Sequence, residues 1–150
     1  MMTVEPDQPV VLIVEDQVLV RMTAHDLLSE AGFQVIEASN GDEALRILDA
    51  RPDVVVVISD IEIGDGIDGL ELARKIEESW PGIAVILVSG RTIPSAVELP
   101  ERSVFLAKPY PLSRLVEQAR TMADQAMRGV VVESEQNAHT SVVPLRANDA

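Results

Sequence analysis

Residues 10–16 read Val-Val-Leu-Ile-Val-Glu-Asp, an unbroken apolar run, mostly β-branched, that stops abruptly at two acids. A strand with one wet face alternates polar and apolar residues, so a continuous run predicts a strand covered on both faces, as in a parallel sheet between helical layers. The acidic pair then stands at the strand's C-terminal end. Similar runs recur at 54–58, leading into Ser59 and Asp60, at 83–88, leading into Ser89 and Gly90, and at 103–107, leading into Lys108 and Pro109. A shorter strand is predicted at 34–38.

Helical spacing fills the intervals. Val20, Ala24, Leu27, Leu28 and Ala31 recur up to Gly32 and predict a helix over about 17–31. Asn40 and Gly41 open a second, with Ala44, Leu45 and Leu48 on its apolar side and Pro52 closing the connection. After a loop rich in Gly and Asp (Gly64, Asp65, Gly66, Asp68), a third carries Gly69, Leu72, Ala73 and Ile76. Pro94 and Pro100 leave 92–100 room for at most a short or irregular helix. Leu112, Leu115, Val116, Ala119, Met122, Ala123 and Ala126 form a long final stripe, and beyond Gly129 the periodicity dissolves. The expected organisation is a lead-in over 1–9, one domain over 10–128 and a flexible tail over 129–150.

Strands alternating with helices imply right-handed crossovers, an α/β fold and a parallel sheet that binds ligands at the carboxyl ends of its strands. Those ends carry Glu15, Asp16, Asp60, Ser89 and Lys108. Their convergence is the central expectation. Composition bounds the chemistry: 150 residues, 47% of them apolar, suit one domain, and the lack of cysteine removes disulfides, thiolate catalysis and Cys-based zinc sites. A net charge of −13 argues against direct binding of nucleic acid and serves mainly solubility. No apolar run approaches membrane-spanning length and the N-terminus lacks the basic flank of an export signal, so no membrane partner and a cytoplasmic location are expected.

Three carboxylates brought together repel unless a hard cation joins them. Mg²⁺ takes oxygen ligands, typically one or two carboxylates with waters and a phosphate oxygen, so Asp16 and Asp60 are expected to bind it directly and Glu15 through water. A carboxylate can attack phosphorus to give an aspartyl phosphate, with Lys108 as a point charge and Ser89 as a hydroxyl donor on phosphate oxygens. The blander alternatives are solvated loop acids for Glu15 and Asp16, and a structural ion pair between Lys108 and Asp60.

Val-Leu-Ile-Val-Glu-Asp at 11–16, Ser-Asp-Ile-Glu-Ile at 59–63, Asp-Gly-Leu-Glu-Leu at 68–72, Val-Ser-Gly at 88–90 and Lys-Pro at 108–109 occur in an order and spacing that closely resemble the receiver domains of response regulators, over about 10–126. The resemblance implies a flavodoxin-like (βα)5 sheet of strand order 2-1-3-4-5, for which a receiver is one of the standard examples. It implies a bacterial two-component signalling protein that is a phosphoacceptor, not an enzyme beyond its own phosphorylation and dephosphorylation. By the same resemblance Asp60 is the phosphoryl acceptor, Glu15 and Asp16 the acidic pair, and Glu62 the residue whose backbone carbonyl completes the Mg²⁺ site. Ser89 matches the switch hydroxyl, Phe105 the aromatic switch position, Lys108 the family's lysine, and Pro109 follows a cis bond in most relatives. Gly64 stands where relatives usually have proline, one extra residue precedes Asp68, and Phe105 has no phenolic hydroxyl.

Leu19 and Met22 are apolar, one turn apart and off the core stripe beside the acids, which suits them, with Pro109, to docking a sensor histidine kinase or histidine phosphotransfer protein. Glu62 and Arg91, each two positions beyond a site residue, are expected to form a salt bridge across the pocket mouth. His25 reads as an exposed helical residue, His139 as part of the tail, and Trp80 as capping the third helix. A haloacid-dehalogenase-type phosphatase is a rival for Asp60-Ile61-Glu62, but that family places its nucleophile on the first strand and its acidic pair late. A degenerate receiver acting only as a binding module is the other. With no output domain legible, the reading is a stand-alone regulator, a shuttle or a phosphate sink acting through protein contacts. The downstream target, and whether phosphorylation drives homodimer formation, stay open.

Overall fold

A computed structural model describes residues 8–95 and 98–136. Residues 1–7, 96–97 and 137–150, with His139 and most of the expected tail, lie outside the described residues. The order is β1 (Val10–Val14), α1 (Val18–Glu30), β2 (Gln34–Ala38), α2 (Gly41–Ala50), β3 (Val54–Asp60), α3 (Gly69–Ser79), β4 (Ala84–Ser89), β5 (Ser103–Ala107) and α4 (Leu112–Gln136). The five strands form one parallel sheet in the order β2-β1-β3-β4-β5, as expected. Successive strand residues point to opposite faces, and each face has its own core. Leu12, Val14, Val57, Val85 and Leu87 meet Ala44 and Leu48 of α2 and Leu72, Ala73 and Ile76 of α3. Val11, Ile13, Val56, Ile58 and Ile86 meet Leu28 of α1 and Leu115, Ala119 and Met122 of α4. The apolar runs are continuous because both sides are dry.

Local chemistry sets the element ends. Asn40 Oδ1 accepts the Glu43 N–H at 2.8 Å, and Asp68 Oδ1 accepts that of Glu71 at 2.8 Å, capping α2 and α3. Trp80 ends α3, its N–H donating to Ile76 O. α1 has no side-chain cap and fully buries only Leu28. Val20, expected in its core stripe, is 43% exposed. Arg120 of α4 donates to Ala31 O and lies 4.6 Å over the Phe33 ring, tying the end of α1 to the opposite end of the chain.

One element departs from the sequence reading, and the segment with the two prolines is irregular as they predicted. α4 continues through Gly129 to Gln136. No α-helix occurs among the described residues of 90–102, where a (βα)5 pattern would place one; Pro94 and Pro100 are buried there, and Leu99 and Phe105 pack against the core shared with α3. Those prolines deny the segment an α-helical hydrogen-bond ladder while supplying apolar cover.

Candidate functional site

Parallel register brings the polar residues together. Val14 pairs with Ser59, Asp60 with Val88 and Ser89 with Ala107, so β1, β3, β4 and β5 end at one level. The ladder extends one step further: the Ile61 N–H donates to Val88 O and the Lys108 N–H to Ser89 O, both at 2.9 Å. Glu15, Ser59, Asp60 and Ser89 are the buried polar or charged residues found at this edge.

Asp60 is 7% exposed and held from two sides. Lys108 Nζ donates to its Oδ2 at 2.8 Å, and the Glu62 backbone N–H donates to its Oδ1 at 3.1 Å. Partial burial works against the Lys108 ammonium, but its bond to Asp60 and the charges of Asp60 and Glu15 raise its pKa above the ordinary lysine value. Burial pushes the Glu15 carboxyl up; the Gln17 N–H opposes this, and the charge of Asp60 adds to it. The Lys108–Pro109 peptide is cis, as the resemblance implied. Tyr110, half-buried beyond it, feels the charges of Lys108 and Asp60, and burial raises its pKa.

Asp16 is exposed beside the loop that follows β3: a Cβ on Gly64 would stand 3.1 Å from Asp16 Oδ2. Gly64 has φ +85°, a left-handed conformation that glycine adopts without strain. Where relatives place proline, this loop therefore needs a backbone that proline cannot supply. At Gly69 an added Cβ would lie 2.4 Å from Asp60 O, so only glycine lets α3 start against the end of β3.

The expected Glu62–Arg91 salt bridge is not formed. Arg91 is exposed, and Glu62 turns to two hydroxyls: Ser89 Oγ donates to its Oε1 at 2.9 Å and Thr92 Oγ1 to its Oε2 at 2.5 Å. The Arg91 side chain stays in solvent, whereas the Ser89 hydroxyl is fixed by the N–H groups of Arg91 and Thr92. Partial burial of Glu62 is outweighed by the Thr92 and Ser89 bonds, which hold its carboxyl below the ordinary value. Thr92 is a site residue that the sequence reading missed, and so is Arg21, whose Nη1 donates to Glu15 O at 2.7 Å while its Nε pairs with Glu37 at 2.9 Å. His25 is not a free surface group: its Nδ1 approaches Glu37 Oε2 to 2.6 Å. Leu19 and Met22 are 77% and 49% exposed, flanked by exposed Val18 and Val20. Phe105 is half-buried and Pro109 exposed.

Among the described residues no group of three or more His, Cys, Asp or Glu side chains converges closely enough to hold a metal unaided. Mg²⁺ keeps several waters and uses few protein ligands, so its fit turns on the chemistry of the individual donors. The donors near Asp60 are all oxygens, and Glu15, buried next to another acid, is a group whose charge a cation would stabilise.

Comparison with known proteins adds three findings. The response regulator receiver domain family matches residues 11–120. The C4-dicarboxylate transport transcriptional regulatory protein DctD of Rhizobium meliloti is 37% identical over 129 residues, covering 84% of this chain but 27% of that protein, and the sensor kinase CckA of Brucella abortus is 33% identical over 123 residues, 77% of this chain and 12% of that one. The chain thus spans a small part of these curated relatives. Among solved structures, the receiver domain of the hybrid histidine kinase CckA superposes with TM-score 0.65 at 32% identity, covering 76% of this chain and 98% of that one. A response regulator receiver protein from Sinorhizobium medicae gives TM-score 0.70 at 24% identity, over 81% and 99%.

Proposed function

Since the chain belongs to the response regulator receiver family, we propose that Asp60 accepts a phosphoryl group from a sensor histidine kinase or histidine phosphotransfer protein. A carboxylate oxygen of Asp60 forms the O–P bond as the P–N bond of the phosphohistidine breaks, the electron pair leaving on the imidazole nitrogen. The observation that carries this is Asp60 itself: a nearly buried carboxylate fixed by the Lys108 ammonium and a backbone N–H at the carboxyl edge of a parallel sheet. Lys108 holds the acceptor in place and remains near enough to steady charge on an incoming phosphoryl oxygen. Asp16, Asp60 and the Glu62 carbonyl, with Glu15 through water, would hold Mg²⁺, which when bound screens the negative charge brought into the site. Leu19 and Met22, with Pro109, supply the apolar surface on which the donor docks. The protein then acts in the cytoplasm through protein contacts.

Labelling by acetyl phosphate and by candidate kinases, with Mg²⁺ present, tests this reading. Wild type should take up one acid-stable, alkali-labile phosphoryl group and Asp60→Asn none. Equal labelling of both, or none of either, would refute it.

A further inference from the structure

Ser89 Oγ has one proton and two lone pairs, and all three are used. The proton goes to Glu62 Oε1, and the lone pairs accept the N–H groups of Arg91 at 3.1 Å and Thr92 at 2.9 Å. Thr92 Oγ1 also donates to Glu62. One carboxylate therefore gathers two hydroxyls and joins the loop after β3 to the start of the β4–β5 crossover. The Glu62 backbone is at the same time tied to the acceptor through its N–H on Asp60 Oδ1. An anionic oxygen is also what Ser89 would meet if Asp60 carried a phosphoryl group.

We propose that the Glu62 carboxylate is an internal surrogate for a phosphoryl oxygen: it holds Ser89 and Thr92 in the unmodified chain, and phosphoryl transfer must displace it. Glu62 and Thr92 are then positioning residues, setting how readily Asp60 is modified and how residues 91–95 respond. The second half rests on the acceptor reading of Asp60; the tether does not. One hydroxyl proton cannot serve two anions. When Ser89 turns to a phosphoryl oxygen, Glu62 loses a charge-assisted bond and gains a like-charged neighbour. Both effects drive it outward, and Thr92, bonded to its Oε2, moves with it. No α-helix among the described residues of 90–102 resists that movement.

The test compares Glu62→Ala, Glu62→Gln, Thr92→Val and Thr92→Ser in the full chain. In ¹⁵N spectra recorded without metal or phosphodonor, the Arg91 and Thr92 amides of Glu62→Ala should move toward their positions in wild type saturated with beryllium fluoride and Mg²⁺. Thr92→Val should move part of the way and Thr92→Ser should stay with wild type, a rescue that loss of packing alone does not give. Labelling by acetyl phosphate should be about five- to tenfold faster in both Glu62 variants, the scale of one charge-assisted bond removed from a competitor. Amides that stay at wild-type positions in Glu62→Ala, or labelling that is unchanged or slower, would overturn the proposal. A wild-type chain that takes no label would overturn the acceptor reading alone; the amide shifts decide the tether without any phosphodonor.

Discussion

Glu15 shows how a single carboxyl can oppose the fold that holds it. Burial and the nearby charge of Asp60 favour its protonated form, with the Gln17 N–H and Lys108 only partly compensating. An acid whose folded pKa is raised stabilises the fold below its unfolded value and loses that contribution as pH rises through the raised one. In chelator at pH 7, Glu15→Gln should therefore be more stable than wild type by about 1 kcal/mol, with the difference vanishing near pH 4. Thermal unfolding at both pH values checks this, and a variant less stable at pH 7 contradicts it. The residues that end strands, Asp60, Ser89 and Lys108, were legible in the sequence because an apolar run announces where it stops. The Glu62–Thr92 contact was not. It depends on the paths of two loops, and no periodicity encodes the direction a side chain takes from a loop.

At the scale of elements, α2 is stabilised by a reciprocal cap. Asn40 Oδ1 accepts the Glu43 N–H, and Glu43 Oε1 accepts the Ser39 N–H at 2.8 Å and the Ser39 hydroxyl at 2.9 Å. The Ser39 N–H is the chief cause of the lowered pKa of Glu43. A depressed acid contributes above its unfolded pKa and loses that contribution as pH falls through the folded one, so Glu43→Gln should cost about 0.5–1 kcal/mol at pH 7 and progressively less as the solution is acidified below that folded pKa. Equal loss at every pH in a melting series would show that the charge is irrelevant. α1 differs: its exposed Val18, Leu19, Val20 and Met22 contribute little to the core, and they lie beside the acids. Replacing Leu19 and Met22 by Asp should slow transfer from a cognate kinase about tenfold or more while leaving acetyl phosphate labelling within twofold. Parallel loss of both activities would place these residues in the fold instead. The sequence marked this surface because apolar residues stood off the stripe, but it misassigned Val20, whose spacing fits the stripe although the residue is exposed with its neighbours. The irregular crossover was legible from Pro94 and Pro100, since proline is the one residue whose backbone restriction is written in its name.

At the scale of the whole molecule, a net charge of −13 means that any cation stabilises the chain to some degree by screening self-repulsion. A bound Mg²⁺ acts differently, by mass action on the folded state alone. The two separate in one experiment. NaCl should raise Tm gradually with ionic strength in wild type and in site variants alike. MgCl₂ at the same ionic strength should give wild type an excess that grows with the logarithm of its concentration above the dissociation constant, about 1.4 kcal/mol at ten times that constant, or about 4 °C in Tm. Asp16→Asn and Asp60→Asn should lose that excess while keeping the NaCl response, because each removes one carboxylate at the edge and leaves the remaining surface charge in place. Glu62→Ala should keep it, since the backbone carbonyl and not the side chain is assigned to the metal. Identical MgCl₂ and NaCl curves in wild type would mean that the acids at the strand ends meet without forming a cation site, and the charge pattern would then be a property of the surface only.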